Sequence, residues 1–218
     1  MSHCIDNLIR IEKEIQQKIA EVQKKPKIIA VSKTFPMVKI LPLINHGHIN
    51  FGENKVQESI SKWTDIKQEF NHIKLHMIGK LQTNKVKYTI SLFDYIHTLD
   101  NIRLAEKISS EQAKKNKNLK IFIQVNVGRE KQKNGILVEH VKDFYKECKT
   151  NLGLNIVGLM CLPPYGDNSS KYFFQVHSLS KLLNLKELSM GMSQDYLEGV
   201  HNHSTFLRIG SKIFGQRG

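Results

Sequence analysis

Eight short apolar runs recur along the chain, each closed by glycine or polar residues and separated by segments whose apolar positions return every three or four residues. Runs rich in β-branched residues without a polar face read as strands buried on both sides, and the three-to-four spacing reads as helices with one buried stripe. The first periodic segment precedes any strand. Ile5, Leu8, Ile9, Ile15, Ile19 and Val22 predict an amphipathic helix over residues 4–24, ended by Pro26. Residues 27–32 then predict the first strand, with Lys33 at its C-terminal end and Pro36 opening a helix that closes near Gly47.

The same cadence predicts strands at 48–54, 75–79, 95–100, 121–127, 156–162, 185–192 and 205–210. Helices are predicted between them at 56–63, 81–92, 101–116, 137–149, 169–183 and 195–200, with Asp100 or Asn101 able to cap the third of these. Eight strands separated by helical segments give the rhythm of an α/β fold, a (β/α)8 TIM barrel preceded by an N-terminal helix. With the last strand so near the chain's end, that N-terminal helix is expected to fill the place of a final helix in the outer ring. A doubly wound open sheet is the alternative, but no glycine-rich dinucleotide turn follows the first strand.

In such a barrel the chemistry gathers at the C-terminal ends of the strands. Lys33 stands at the first of these ends, and a partly desolvated lysine there favours the neutral amine that condenses with aldehydes. At the seventh and eighth strands, Gly191-Met192-Ser193 and Arg208-Ile209-Gly210-Ser211 supply small residues and hydroxyls suited to a phosphate. An amine and a phosphate site in one mouth point to pyridoxal phosphate, or to aldolase-type chemistry on a phosphorylated sugar. The 128–135 loop carries Arg129, Lys131 and Lys133, and reads as a solvated turn or as a second amine near the mouth. His76 and His97 lie inside apolar strands and read as hydrogen-bonded core residues; no ligand spacing supports a metal.

Composition narrows this picture. The 218 residues, 40% of them hydrophobic, suit one globular domain spanning 1–218. No apolar run is long enough to span a bilayer and no basic-then-apolar leader opens the sequence, so a cytoplasmic location is expected. Cys4, Cys148 and Cys161 form no metal or disulfide pattern and are expected as thiols. The formal charge of +13 raises nucleic acid as a partner, yet the lysines are scattered and lack interleaved aromatics, so a solvated basic surface is expected.

Several blocks resemble the pyridoxal phosphate homeostasis protein family, the alanine-racemase-like single-domain barrels. They are Ala30-Val31-Ser32-Lys33-Thr34, Phe51-Gly52-Glu53-Asn54-Lys55-Val56-Gln57-Glu58, His76-Met77-Ile78-Gly79-Lys80-Leu81-Gln82-Thr83-Asn84-Lys85, His97-Thr98-Leu99-Asp100, Glu130-x-x-Lys133-x-Gly135, Leu188-Ser189-Met190-Gly191-Met192-Ser193 and Arg208-Ile209-Gly210-Ser211. The resemblance implies pyridoxal 5′-phosphate (PLP) held as a Schiff base on Lys33, with Asn54 among its contacts. It also implies phosphate near Ser193, Gly210 and Ser211, and Arg208 facing the ring nitrogen. Racemases of similar fold add a second, β-rich domain that contributes a catalytic tyrosine, for which this chain has no room. The implied role is vitamin B6 homeostasis without robust turnover and with no catalytic residue. Apo-forms of PLP-dependent enzymes are the implied recipients, and a monomer is expected. A small PLP-dependent racemase-like enzyme is the alternative. Two departures stand out: Lys80 replaces a customary proline, and His203 is expected to crowd the phosphate end or add a donor to it.

Overall fold

The computed structural model describes residues 3–19, 24–130 and 132–216. Its strands are β1 (Lys27–Val31), β2 (Asn50–Glu53), β3 (Lys74–Met77), β4 (Tyr95–Leu99) and β5 (Lys120–Asn126), then β6 (Ile136–Leu137), β7 (Ile156–Cys161), β8 (Glu187–Met192) and β9 (Phe206–Ile209). All pair in parallel, and eight of them close a barrel in the order β1-β2-β3-β4-β5-β7-β8-β9, with β9 returning to β1. Around it lie α1 (His3–Lys18), α2 (Met37–Asn45), α3 (Val56–Glu69), α4 (Val86–Leu92), α5 (Ile102–Lys115), α6 (Val141–Lys146), α7 (Ser169–Leu182), α8 (Tyr196–His201) and α9 (Ser211–Phe214). Among the described residues no helix is long and apolar enough to cross a membrane.

Alternation along each strand explains the two apolar layers. On β1, Ile28 and Ala30 join the cluster between sheet and helices, while Ile29 points inward to Tyr95, Phe122, Met160 and Phe206. The N-terminal helix closes the ring as expected. Leu8, Ile11 and Ile15 are buried on α1, which packs between α8, α9 and α2. Asn7 Nδ2 donates to the Ile213 carbonyl at 3.0 Å, and the Tyr196 hydroxyl donates to the Glu14 carboxylate. The helix ends at Lys18, short of its expected end, and Val22 lies outside the described residues.

Three local expectations change. Leu137 belongs to β6 rather than opening a helix, because β5 outruns β4: Leu99 is β4's last partner, opposite Ile123, and Val125 and Asn126 pair instead with Ile136 and Leu137. Leu81 is buried and Gln82 extended, so the fourth helix starts only after a 3₁₀ turn at Thr83–Lys85. Finally, α9 follows β9, and its Ile213 and Phe214 are buried beside α1.

Candidate functional site

All strand C-terminal ends open on one mouth, and Lys33 stands two residues beyond β1, half-buried. Its neighbours are fixed from β2 and α3. Glu53, fully buried, accepts at Oε1 from the Ser32 hydroxyl (2.8 Å), Lys62 Nζ (3.0 Å) and Trp63 Nε1 (3.0 Å). Lys62 Nζ also donates to the Ser32 carbonyl and to Glu58 Oε1, both at 3.1 Å. On the other side of Lys33, the Thr34 N–H donates to Glu58 Oε1 at 2.8 Å. Thr34 has φ 69°, a left-handed conformation that a β-branched residue adopts only when its surroundings enforce it. For Glu58, burial would raise the pKa, but the Thr34 N–H and the Lys62 ammonium outweigh it and hold the carboxyl below its ordinary value.

The β1–β2 register, Val31 opposite Gly52, brings Lys33 level with Asn54. Asn54 Oδ1 is buried with no hydrogen-bond partner among the described residues. Gly79 packs directly on the Asn54 backbone, since a Cβ there would lie 2.3 Å from the Asn54 main-chain carbonyl oxygen. On the other flank, Ala30 pairs with Ile209, which sets Gly210 beside Val31. The Gly210 N–H donates to Ser193 Oγ at 3.2 Å, leaving the Ser193 hydroxyl hydrogen to point elsewhere. Ser211 is exposed at the next position. The expected anion-binding residues from two strands therefore meet, next to the strand that carries Lys33.

Arg208 lies deeper, 5% exposed. Its Nη1 donates to the Ser189 carbonyl and to Ser189 Oγ (2.6 Å), and Nη2 donates to the Cys161 carbonyl at 2.8 Å. Burial lowers its pKa, and among the described residues no carboxylate makes an ion pair with it. From Ser189 Oγ a line of polar groups crosses the barrel: His97 Nδ1 at 2.9 Å, His97 Nε2 to His76 Nδ1 at 2.9 Å, and His76 Nε2 to Asn50 Oδ1 at 3.1 Å. Tyr95 stacks on His76 and Phe122 on His97, each with ring centroids 4.3 Å apart. Burial pushes both imidazoles well below their ordinary pKa. The histidines are hydrogen-bonded core residues, as expected. Sequence reasoning missed Ser189 and Asn50, whose only signal was a polar residue on the inward phase of an apolar strand.

At the rim, Lys133 Nζ pairs with Glu130 Oε2 at 2.5 Å and donates to the Pro163 carbonyl at 3.2 Å, tying the β5 loop to the β7 loop. His203 does not reach the phosphate end. It precedes β9 whereas Gly210 follows it, so a full strand separates them, and its ring packs instead on His177 of α7 at 4.5 Å. Lys80 is exposed at the mouth. All three cysteines are buried and none is in a disulfide; burial raises the Cys148 and Cys161 thiols to about 12.

Residues 7–218 match the family described as alanine racemase, N-terminal domain. The pyridoxal phosphate homeostasis protein of Vibrio alginolyticus is 34% identical over 100% of this chain and 99% of its own length. That of Aquifex aeolicus (strain VF5) is also 34% identical, over 100% and 99%. Among solved structures, PipY of Synechococcus elongatus PCC7942 with PLP bound aligns with a TM-score of 0.85 at 27% identity, covering 97% of this chain and 100% of that one. A barrel that brings Lys33, Asn54, Ser193 and Gly210 to one mouth thus coincides with full-length similarity at this level, and the chain belongs to the pyridoxal phosphate homeostasis protein family.

Proposed function

We propose that residues 1–218 act as one unit that binds PLP in the cytoplasm, stores it reversibly and releases it to apo-forms of PLP-dependent enzymes. The observation that carries this reading is the fixing of Lys33: Ser32 and Thr34 are both tied to the Glu53–Lys62–Glu58 cluster, and Thr34 is held in a strained conformation. An amine positioned so deliberately beside a Gly210–Ser193 pair suits a ligand with a carbonyl at one end and an anion at the other.

The donor set fits the cofactor. Lys33 supplies the primary amine for its aldehyde, Ser193, Gly210 and Ser211 its phosphate contacts, and the orphaned Asn54 Oδ1 an acceptor for a donor group. When bound, PLP supplies an aldehyde that links reversibly to an amine and a ring able to draw electrons from that link. Arg208 weakens the second capacity. A guanidinium has no acceptor, so beside the ring nitrogen it would only donate and would leave that nitrogen unprotonated, a poorer electron sink than a ring facing a carboxylate. Lys33 serves as a tether rather than a catalytic base, and the chain is a carrier rather than a racemase-like enzyme. Purified protein loaded with PLP should absorb in the visible, Lys33→Ala should lose that band, and L-alanine should remain L-alanine. Racemisation that vanishes with Lys33→Ala would establish the enzyme instead.

A further inference from the structure

The buried cation Arg208 has no carboxylate in ion-pair range among the described residues, and Asp195 acts on it only at longer distance. Buried charges are ordinarily paired, so something else must stabilise this one. Three of its donors go to the Ser189 carbonyl, Ser189 Oγ and the Cys161 carbonyl, and behind Ser189 Oγ stands the line His97, His76, Asn50.

The direction of that line follows from counting hydrogens. Arg208 can only donate, so Ser189 Oγ accepts. Ser189 is fully buried, and His97 Nδ1 is the one acceptor outside the main chain that its own hydroxyl hydrogen meets among the described residues. The hydroxyl therefore donates to His97 Nδ1, His97 Nε2–H donates to His76 Nδ1, and His76 Nε2–H donates to Asn50 Oδ1. The reverse order would leave the Ser189 hydrogen unsatisfied in the core and would need the Asn50 amide turned round. In the forward order every dipole points its negative end toward the guanidinium, and successive bonds polarise one another.

We infer that Asn50, His76, His97 and Ser189 form a one-directional chain of neutral hydrogen bonds that holds Arg208 in place and charged without a counter-ion, which makes His76 and His97 positioning residues of the cofactor site. The second half of that statement rests on the proposed function; the direction of the chain does not. Protonating either ring would break the chain and set a second cation beside Arg208. The cations Lys27, Lys67 and Lys120 around His76, and Arg208 beside His97, all oppose it.

The direction is read in cofactor-free protein by long-range 1H–15N NMR of the histidine rings. Both His76 and His97 should be Nε2–H tautomers with shifts unchanged from pH 8 to pH 5.5, and an Nδ1–H tautomer or a titration at either ring would overturn the chain. The positioning role is read in PLP titrations. His97→Phe keeps the stack on Phe122 but cuts the line, and should weaken PLP binding about 10-fold and shift the visible band, while His97→Gln recovers part of the loss. Ser189→Ala, which keeps the carbonyl contact to Arg208, gives the same reading if His97→Phe fails to fold. Unchanged affinity and band in folded variants would remove the positioning role. Wild-type protein that takes up no PLP would defeat the proposed function and its positioning clause, and leave the NMR result standing.

Discussion

The Thr34 N–H donates to Glu58 Oε1 at 2.8 Å, so a helix residue 24 positions away in sequence fixes the backbone one step past Lys33. The left-handed conformation of Thr34 is worth about 1–2 kcal/mol of strain, opposed by this bond, by the Lys62–Ser32 contact and by the Phe35 N–H, which donates to the Ser32 carbonyl at 3.1 Å across the turn. Glycine at position 34 removes that strain, but its freer unfolded chain costs about 0.5–1 kcal/mol. Thr34→Gly should therefore leave stability within about 1 kcal/mol of wild type while PLP affinity falls several-fold. Urea unfolding and PLP titration on one sample check both; full affinity in the folded variant would show that the strained turn does not aim Lys33.

Glu53 holds three donors with one oxygen in a fully buried position. Removing it strands the Trp63 N–H and takes from the Lys62 ammonium its buried carboxylate, leaving it Glu58 and the Ser32 carbonyl, so Glu53→Ala should cost about 3 kcal/mol. Glu53→Met combined with Lys62→Met should lose clearly less, because no fully buried charge is left without a partner, and Glu58, which loses Lys62, is partly exposed and keeps the Thr34 N–H. Chemical denaturation of the two variants and of wild type decides the order.

Stability should fall on acidification from the histidines alone. Burial holds His48 at about 4 and His76 and His97 well below their ordinary 6.5. Folded pKa values below the unfolded ones mean that the unfolded chain binds protons the native chain refuses. The contribution is intact above pH 6.5 and is lost as pH drops toward the folded values. At pH 5 His48 should cost roughly 2 kcal/mol, 1.5 pH units at 1.36 kcal/mol each, and His76 and His97 add losses of the same sign. Glu58, also depressed, adds loss of the same sign at lower pH. Urea midpoints at pH 7.5 and pH 5 test this, and equal midpoints would contradict the buried neutral rings.

In the proposed function the Gly210–Ser193 pair, joined at 3.2 Å, serves the phosphate. Ser193→Ala should reduce affinity for PLP while leaving pyridoxal, which lacks the phosphate, nearly unaffected. Competition titrations with the two aldehydes measure the ratio, and an equal loss for both would place the phosphate elsewhere.

Much of this architecture was legible along the chain because it is local. The apolar run at residues 28–31 marks β1, and Asn101 caps α5 by accepting from the Leu104 N–H at 2.9 Å, as its position predicts. Lys33, Asn54, Ser193 and Gly210 fall at strand ends, and the barrel rule alone assembles them. What stayed hidden depends on partners far apart in sequence. Ile136–Leu137 becomes a strand only because β5 extends past β4. The line from Arg208 to Asn50 joins β9, β8, β4, β3 and β2, and no spacing in one strand announces it. The His203 expectation failed because the two ends of a strand face opposite mouths.

In the proposed function Lys33, and no other of the chain's many lysines, tethers the cofactor. Borohydride reduction of PLP-loaded protein fixes the link irreversibly, and peptide mass spectrometry then locates it. One dominant adduct on the peptide containing Lys33, absent from Lys33→Ala, is the expected result. A dominant adduct on Lys133 or another lysine, with Lys33 unmodified, would contradict it.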